Sequence, residues 1–591
     1  MTTPLRAPGT TSRTRPAAHA RPPTPRRPDA PFDHQRPRPE PRKTAVPQPT
    51  DRPLTAVADT VLTGAHVRTL DPERPTATAV AVRDGHIVAV GDERDVRDWR
   101  GAHTEVVDLG GATLTPGLVD GHSHPVLGLE MATGLDLSGC RDLDALRGTL
   151  ADAARAAGPG AWVLGHGLDH NVFGGRPVQH DLIDPALGGV PAFLRLYDGH
   201  SALASGPALA AAGIDGPRRF AQRAEVVCAP DGRPTGHLVE PAAMDLMEPV
   251  LPREDPSARR ARLLKLLTDM AATGLTGAHV MDLQGVGVLD LLTGCEEEAG
   301  PLPMRLRIAP WCMPGTDPAE LDHLVALQRS RGAHWRVGGV KFFMDGTVEG
   351  GTAWLEHADC HGQGTEAFWP DPAAYTAAVH HLARAGVRTT THAIGDAAVR
   401  HVLDTVELLD DPGQHGRHRI EHIETVPTGQ LERFARLGVT ASMQPTHTAY
   451  TRADHTDEWS KRVGEERAGR AWRCRDLRDA GATLVLGSDW PIAHYDPREV
   501  LATARLRRLP GRPDITPVLA GQALTGLMAL EGYTSHAALA VGEQDVAGRI
   551  APGYRADLTA FAVDPVTAPA DELGEAPVVL TMTAGRVVHR G

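Results

Sequence analysis

Aromatic side chains make up only 4% of this 591-residue chain, so its core must be filled mainly by Ala, Val and Leu. Cysteine is scarcer still. Cys140, Cys228, Cys295, Cys312, Cys360 and Cys474 lie far apart with no CxxC pair, which argues against a disulfide framework and fits thiols of a reducing, cytoplasmic compartment. No apolar run is long enough to cross a bilayer, so no membrane association is expected. Positive charge is not in excess either: the formal net charge is −13, which argues against nucleic acid as a partner. What remains is ordinary globular composition, 41% hydrophobic and 23% charged, in a chain long enough for a large barrel and a second module.

Residues 1–53 stand apart. PPTPRRPDAP and RPRPEPRKTAVPQP are rich in Pro and Arg and lack apolar periodicity. Such a segment cannot bury enough surface to offset its ordering entropy, and a disordered basic tail is expected. From 54 to 115 the texture becomes short β-branched runs broken by turn residues, and 536–591 repeats it. Two β-rich ends around an α/β middle suggest one small β-sandwich built from both. The middle, 116–535, alternates strand and helix, with strand candidates at 276–282, 304–311, 338–345, 387–393, 418–424, 439–445 and 482–490 and another ending near His122. Eight such units, mostly spaced by roughly thirty to fifty residues, predict a (β/α)8 TIM-like barrel, an α/β fold. The long gap after His122 predicts an inserted subdomain at about 135–250. The charge-rich stretch 454–473 reads as a solvated helix, or else as part of a rim.

The chemistry-bearing residues fall at strand ends. TPGLVDGHSHP carries His122 and His124, and residues i and i+2 of a strand share a face, so this pair can clasp one metal ion. Two solvated loop histidines is the plainer alternative. Lys341, in GGVKFFMDG, sits within an apolar strand. Desolvation lowers a lysine pKa, and the neutral amine can then add CO₂ to give a metal-bridging carbamate. An ion pair to Asp345 or Glu349 is an equal alternative. His392 (TTTHAIGD) and His422 (RIEHIE) each end a short β-branched or apolar run, and Asp489 (LVLGSDWP) follows an apolar strand. Singly, each is more often structural. Five strand ends bearing such residues in order point together to a divalent metal centre at a barrel mouth.

TPGLVDGHSHP, VKFFMDG, THAIGDAAV, RIEHIE, ASMQPTH and GSDWPIAHYDP together resemble the signature set of the amidohydrolase superfamily, in its N-substituted formamide deformylase-like branch (amidohydrolase family 3). The resemblance runs from about residue 57 to the C-terminus. It implies that His122 and His124 bind one metal with Asp489 beside it, and that carboxylated Lys341 bridges to a second held by His392 and His422. It implies zinc first, with iron, manganese or cobalt as alternatives, as one or two ions. The implied activity is hydrolysis of a non-peptide carbon–nitrogen bond (amide, N-formyl or N-acyl) in a small molecule, by a metal-activated hydroxide with Asp489 as proton shuttle. Lactone or ester hydrolysis on the same centre is the first alternative, and a non-catalytic scaffold the second. His200, Asp345, Gln444 and Trp490 are candidate substrate contacts, beside His166, Asp169, Asp198 and His447. The resemblance also suggests a homodimer. One stretch departs from the family pattern: DGTVEGGTAWL places Glu349 after Lys341, at the substrate end of the site.

Overall fold

Parallel strands buried on both faces read as unbroken apolar runs, because helices cover them outside and the opposite strands cover them inside. The segment Leu275–Leu283 is such a run, buried at every residue. In a computed structural model, which describes residues 57–158, 160–252, 254–283, 287–410 and 418–591, it belongs to the first of two parallel arcs. One arc joins Leu118–Ser123, Leu275–Leu283, Arg305–Pro310 and Trp335–Val337. The other joins Val340–Phe343, Thr389–Ala393, His418–His422, Thr440–Met443 and Leu484–Leu486. The tail expected over 1–53 lies outside the described residues.

Two short consecutive strands carry the chain from one arc to the other. Trp335–Val337 pairs with the first arc and Val340–Phe343 with the second. They part at Gly338–Gly339, where Gly339 takes φ 102°, a conformation closed to most side chains. Backbone contacts beyond the ladders tie both seams. Cys312 N–H donates to the Lys341 carbonyl at 2.8 Å, and Asp489 N–H donates to the His122 carbonyl at 2.7 Å. The result is a barrel-like α/β fold whose strand C-termini gather at one end. Several surrounding helices open on the same device: Asp255, Asp317, Asp371 and Asp496 each cap a helix with a side-chain oxygen, and a proline follows at the first helical position.

Both chain ends contribute to one further layer. Leu558–Phe561 pairs antiparallel with Thr113–Pro116, Leu558 facing Pro116 in register, inside a six-stranded sheet. A four-stranded sheet that includes Thr60–Thr63 and Ala79–Arg83 adds Leu62, Val80 and Val82 to the same core as Leu114, Leu558, Leu580 and Met582. Between Leu135 and Val239 another six-stranded sheet forms, backed by the helix Leu143–Ala156, whose N-cap is Asp142.

The stretch 454–473 corrects the solvated-helix expectation. It breaks at Gly464 into Glu458–Val463 and Glu465–Ala468, and Trp459, Val463, Arg467 and Ala468 are buried. Its charges mask an inward face: the Trp459 indole N–H donates to Glu424 at 2.6 Å. Among the described residues, no helix is long and apolar enough to cross a membrane.

Candidate active site

At the C-terminal ends of the strands one carboxylate is ringed by imidazoles. Asp489 lies just past Leu484–Leu486 with φ 59°, a left-handed conformation uncommon outside glycine and one that recurs at functional sites. Its carboxylate is 3.1 Å from His124 Nε2, 3.4 Å from His122 Nε2, and 3.7 Å from both His422 Nδ1 and His447 Nε2. His422 also adopts positive φ, at 73°. Asp120 locks the first and last strands together beneath them, accepting from His122 N–H at 3.1 Å, Ser488 N–H at 3.0 Å and the Ser488 hydroxyl at 2.5 Å.

The ring nitrogens test whether a metal fits. His122 Nε2, His422 Nδ1 and His447 Nε2 are buried and find no hydrogen-bond partner among the described residues, although buried polar atoms are nearly always satisfied. Converging on a shared carboxylate, they form two donor sets, His122–His124–Asp489 and His422–His447–Asp489. That chemistry suits a divalent transition metal. Protonation states agree. Burial first, and then neighbouring cationic groups, push His122, His392 and His422 well below the ordinary imidazole range, leaving the neutral ligand form. Burial would raise the Asp489 carboxyl, but its interactions with the His122 and His124 rings, a hydrogen bond from His124 among them, outweigh it and hold the group well below the usual range.

His122 is aimed from behind. Its Nδ1–H donates to Glu421 at 2.6 Å, so Nε2 keeps a free lone pair towards Asp489. Arg419 holds Glu421 through Nε at 3.0 Å and Nη2 at 3.1 Å, and also reaches the Gly121 carbonyl and His279. Arg419 and Glu421 share a strand face by their i, i+2 spacing, both fully enclosed.

Lys341 is buried with its ammonium 5.0 Å over the Phe343 ring, and burial brings its pKa down to about 8. Neither carboxylate of the ion-pair alternative reaches it. Asp345 accepts instead from the backbone N–H groups of Trp354, Ile394 and Gly395 at 2.8–3.0 Å, and Glu349 accepts from the Tyr197 hydroxyl at 2.5 Å. His392 donates through Nε2 to the Gly346 carbonyl at 3.0 Å, its ring 4.4 Å from that of His422. His200 faces His392 and donates to Glu240 at 2.8 Å. Burial would depress His200, but Glu240 outweighs it and raises the imidazole to about 9.

These residues bound one cavity. His122, His124, Lys341, His200, His392, His422 and Asp489 line it, as do Asp198 and His447. Asp345, Gln444 and Trp490 do not. Asp345 is spent on the three backbone donors above, Gln444 is buried just past the strand Thr440–Met443, and the Trp490 indole packs on Gly128. His166 and Asp169 are also outside the wall, the latter capping the short helix His170–Phe173. Sequence reasoning missed Glu421, Asp120, Glu240, Tyr197 and Glu424. Glu421 left a faint signal, a carboxylate one position before His422 and two after Arg419 in the short strand His418–His422. Glu240 left none, because its partner His200 is brought to it only by the sheet pairing of Ser201 with Val239.

The chain belongs to the amidohydrolase family, whose model matches residues 105–589. It is therefore an amidohydrolase enzyme. It is 30% identical over 520 residues to "Protein LONG AFTER FAR-RED 3" of Arabidopsis thaliana, covering 85% of this chain and 87% of that protein. It is 28% identical over 544 residues to the N-substituted formamide deformylase of Arthrobacter pascens, covering 90% and 98%. The crystal structure of an uncharacterized metal-dependent hydrolase from Pyrococcus horikoshii OT3 shares the fold, with a TM-score of 0.65, 24% identity, and coverage of 86% of this chain and 99% of that one.

Proposed function

We propose that the enzyme hydrolyses a non-peptide carbon–nitrogen bond (amide, N-formyl or N-acyl) of a small molecule at a divalent metal centre. The observation that carries this reading is Asp489 within 4 Å of four imidazole nitrogens, three of them buried and unpartnered. The N-formyl member of the class comes from the deformylase relative. His122, His124 and Asp489 hold one ion. His392, His422 and carboxylated Lys341 hold a second, with His447 close enough to join His422. Zinc, iron, manganese and cobalt all suit these ligands, zinc foremost. When bound, such an ion supplies Lewis-acid polarisation and a water acidic enough to ionise near neutral pH.

The protein groups do the rest. Asp489, an anion among imidazoles, takes the proton from the attacking water and returns it to the departing nitrogen. His200, kept protonated by Glu240, stands where it can donate to the oxygen on which negative charge develops. Leu127, Met131, Trp311, Phe343 and Ile492 exclude bulk water around them. We assign 54–115 with 536–591 to a β-sandwich, 116–535 to a closed (β/α)8 barrel, and about 135–250 to a cap over its mouth. Six free thiols fit a cytoplasmic enzyme.

The test is Asp489→Asn assayed against N-formyl, N-acyl, cyclic amide and lactone substrates. Wild type should release acid and amine from a carbon–nitrogen substrate, and the variant should lose about 10²–10⁴-fold of that rate while keeping most of its metal. Near-normal turnover in Asp489→Asn refutes the assignment, and a preference for lactones moves the substrate class to esters.

A further inference from the structure

A second cavity opens at the opposite, N-terminal ends of the strands. It is lined by Arg305, Arg307, Arg331, Arg336 and Arg555 against two carboxylates, Glu543 and Asp557. Its free volume of about 240 Å³ exceeds the about 90 Å³ beside Asp489. The carboxylates are oversubscribed. Glu543 alone serves Arg307 at 3.1 Å, Arg555 at 2.5 Å and Arg336. Asp557 takes Arg305 at 2.9 Å and also the Ala584 N–H. Arg331 forms no ion pair among the described residues, and an antiparallel bridge sets it beside Arg336. Burial first, then the fields of Arg336, Arg388, Arg419 and Arg555, hold Arg307 well below its ordinary value, as expected where guanidinium charges crowd without enough counter-charge. His279 lines the same cavity and joins it through Arg419 and Glu421 to His122.

Guanidinium forks match the planar oxygens of carboxylates and the oxygens of phosphate, and a concave site with an excess of positive charge focuses its field on such a ligand. We infer that this cavity is a binding site for a small multiply charged oxyanion, a phosphorylated or polycarboxylate metabolite, distinct from the catalytic cavity. Asp557 and Glu543 orient the guanidiniums, and Arg331 and Arg336 at the rim supply the charge that an entering anion neutralises.

Calorimetric titration of the metal-replete full-length protein with inorganic phosphate and with succinate, at constant ionic strength set by chloride, tests this. Both probes are weak chelators, so the catalytic metal is left in place. One of them should bind saturably, one per chain, and Arg331→Gln/Arg336→Gln should weaken it at least tenfold with metal content unchanged. Phosphate alone identifies a phosphoryl ligand, and succinate alone a carboxylate ligand. Arg331→Glu, a single change at an exposed position, should give the same loss if the double variant does not fold. Failure of both probes to saturate, or equal binding by the rim variants, overturns the inference.

Discussion

Replacing Glu421 by Gln keeps the shape of the side chain and removes its charge. In the folded chain Glu421 is fully buried and accepts from His122 at 2.6 Å and from Arg419 at 3.0 and 3.1 Å. The remaining acceptors around Arg419, the Gly121 carbonyl, the Ser442 hydroxyl and His279, are all uncharged. The variant therefore strands a buried guanidinium, a change that costs about 3–5 kcal/mol when one partner of a buried pair is removed. The amide oxygen can still accept one bond, which favours the lower end. At the metal, the loss of a carboxylate behind a ligating imidazole weakens affinity by about 10–100-fold. Two measurements on one preparation read this: the urea midpoint, and zinc affinity of the apoprotein against a competing chelator. Activity should recover partly in excess zinc. Glu421→Gln with wild-type zinc affinity and an unchanged midpoint would refute the view that Glu421 aims and supports His122.

Lys341 should carry a carbamate. Protein equilibrated with ¹³C-bicarbonate is expected to show a carbamate carbonyl resonance that disappears in Lys341→Gln, and a spectrum without it leaves a centre held by imidazoles and Asp489. The His200–Glu240 pair gives a pH signature. An unfolded imidazole loses its proton near 6.5, whereas folded His200 keeps it to about 9, so the pair's stabilisation is complete below 6.5 and fades as pH rises through about 9. The melting-temperature gap between wild type and Glu240→Gln should therefore shrink between pH 6 and pH 10, and a constant gap contradicts the pairing.

Much of this was legible in the sequence because strand ends announce themselves. Every strand candidate of the middle region overlaps an observed strand, and His122, His124, Lys341, His392, His422 and Asp489 all reach one cavity. Each of these residues follows or interrupts an apolar run, so local pattern and location coincide. Asp345 and Trp490 show the opposite case. They share motifs with true wall residues, but a carboxylate facing three backbone N–H groups and an indole lying on Gly128 are fixed by tertiary neighbours, which no local pattern reveals. The stretch 454–473 failed for a related reason. Its charges dominate the composition, yet Trp459 and Trp472 turn inward to line the cavity.

A metal-dependent hydrolytic centre around Asp489 fixes the metal-to-chain ratio. Elemental analysis of protein purified without chelators should find one or two divalent transition-metal ions per chain, with a marked fall in His122→Ala/His124→Ala. A wild-type protein that holds none, and takes up none on dialysis against zinc, would contradict the account.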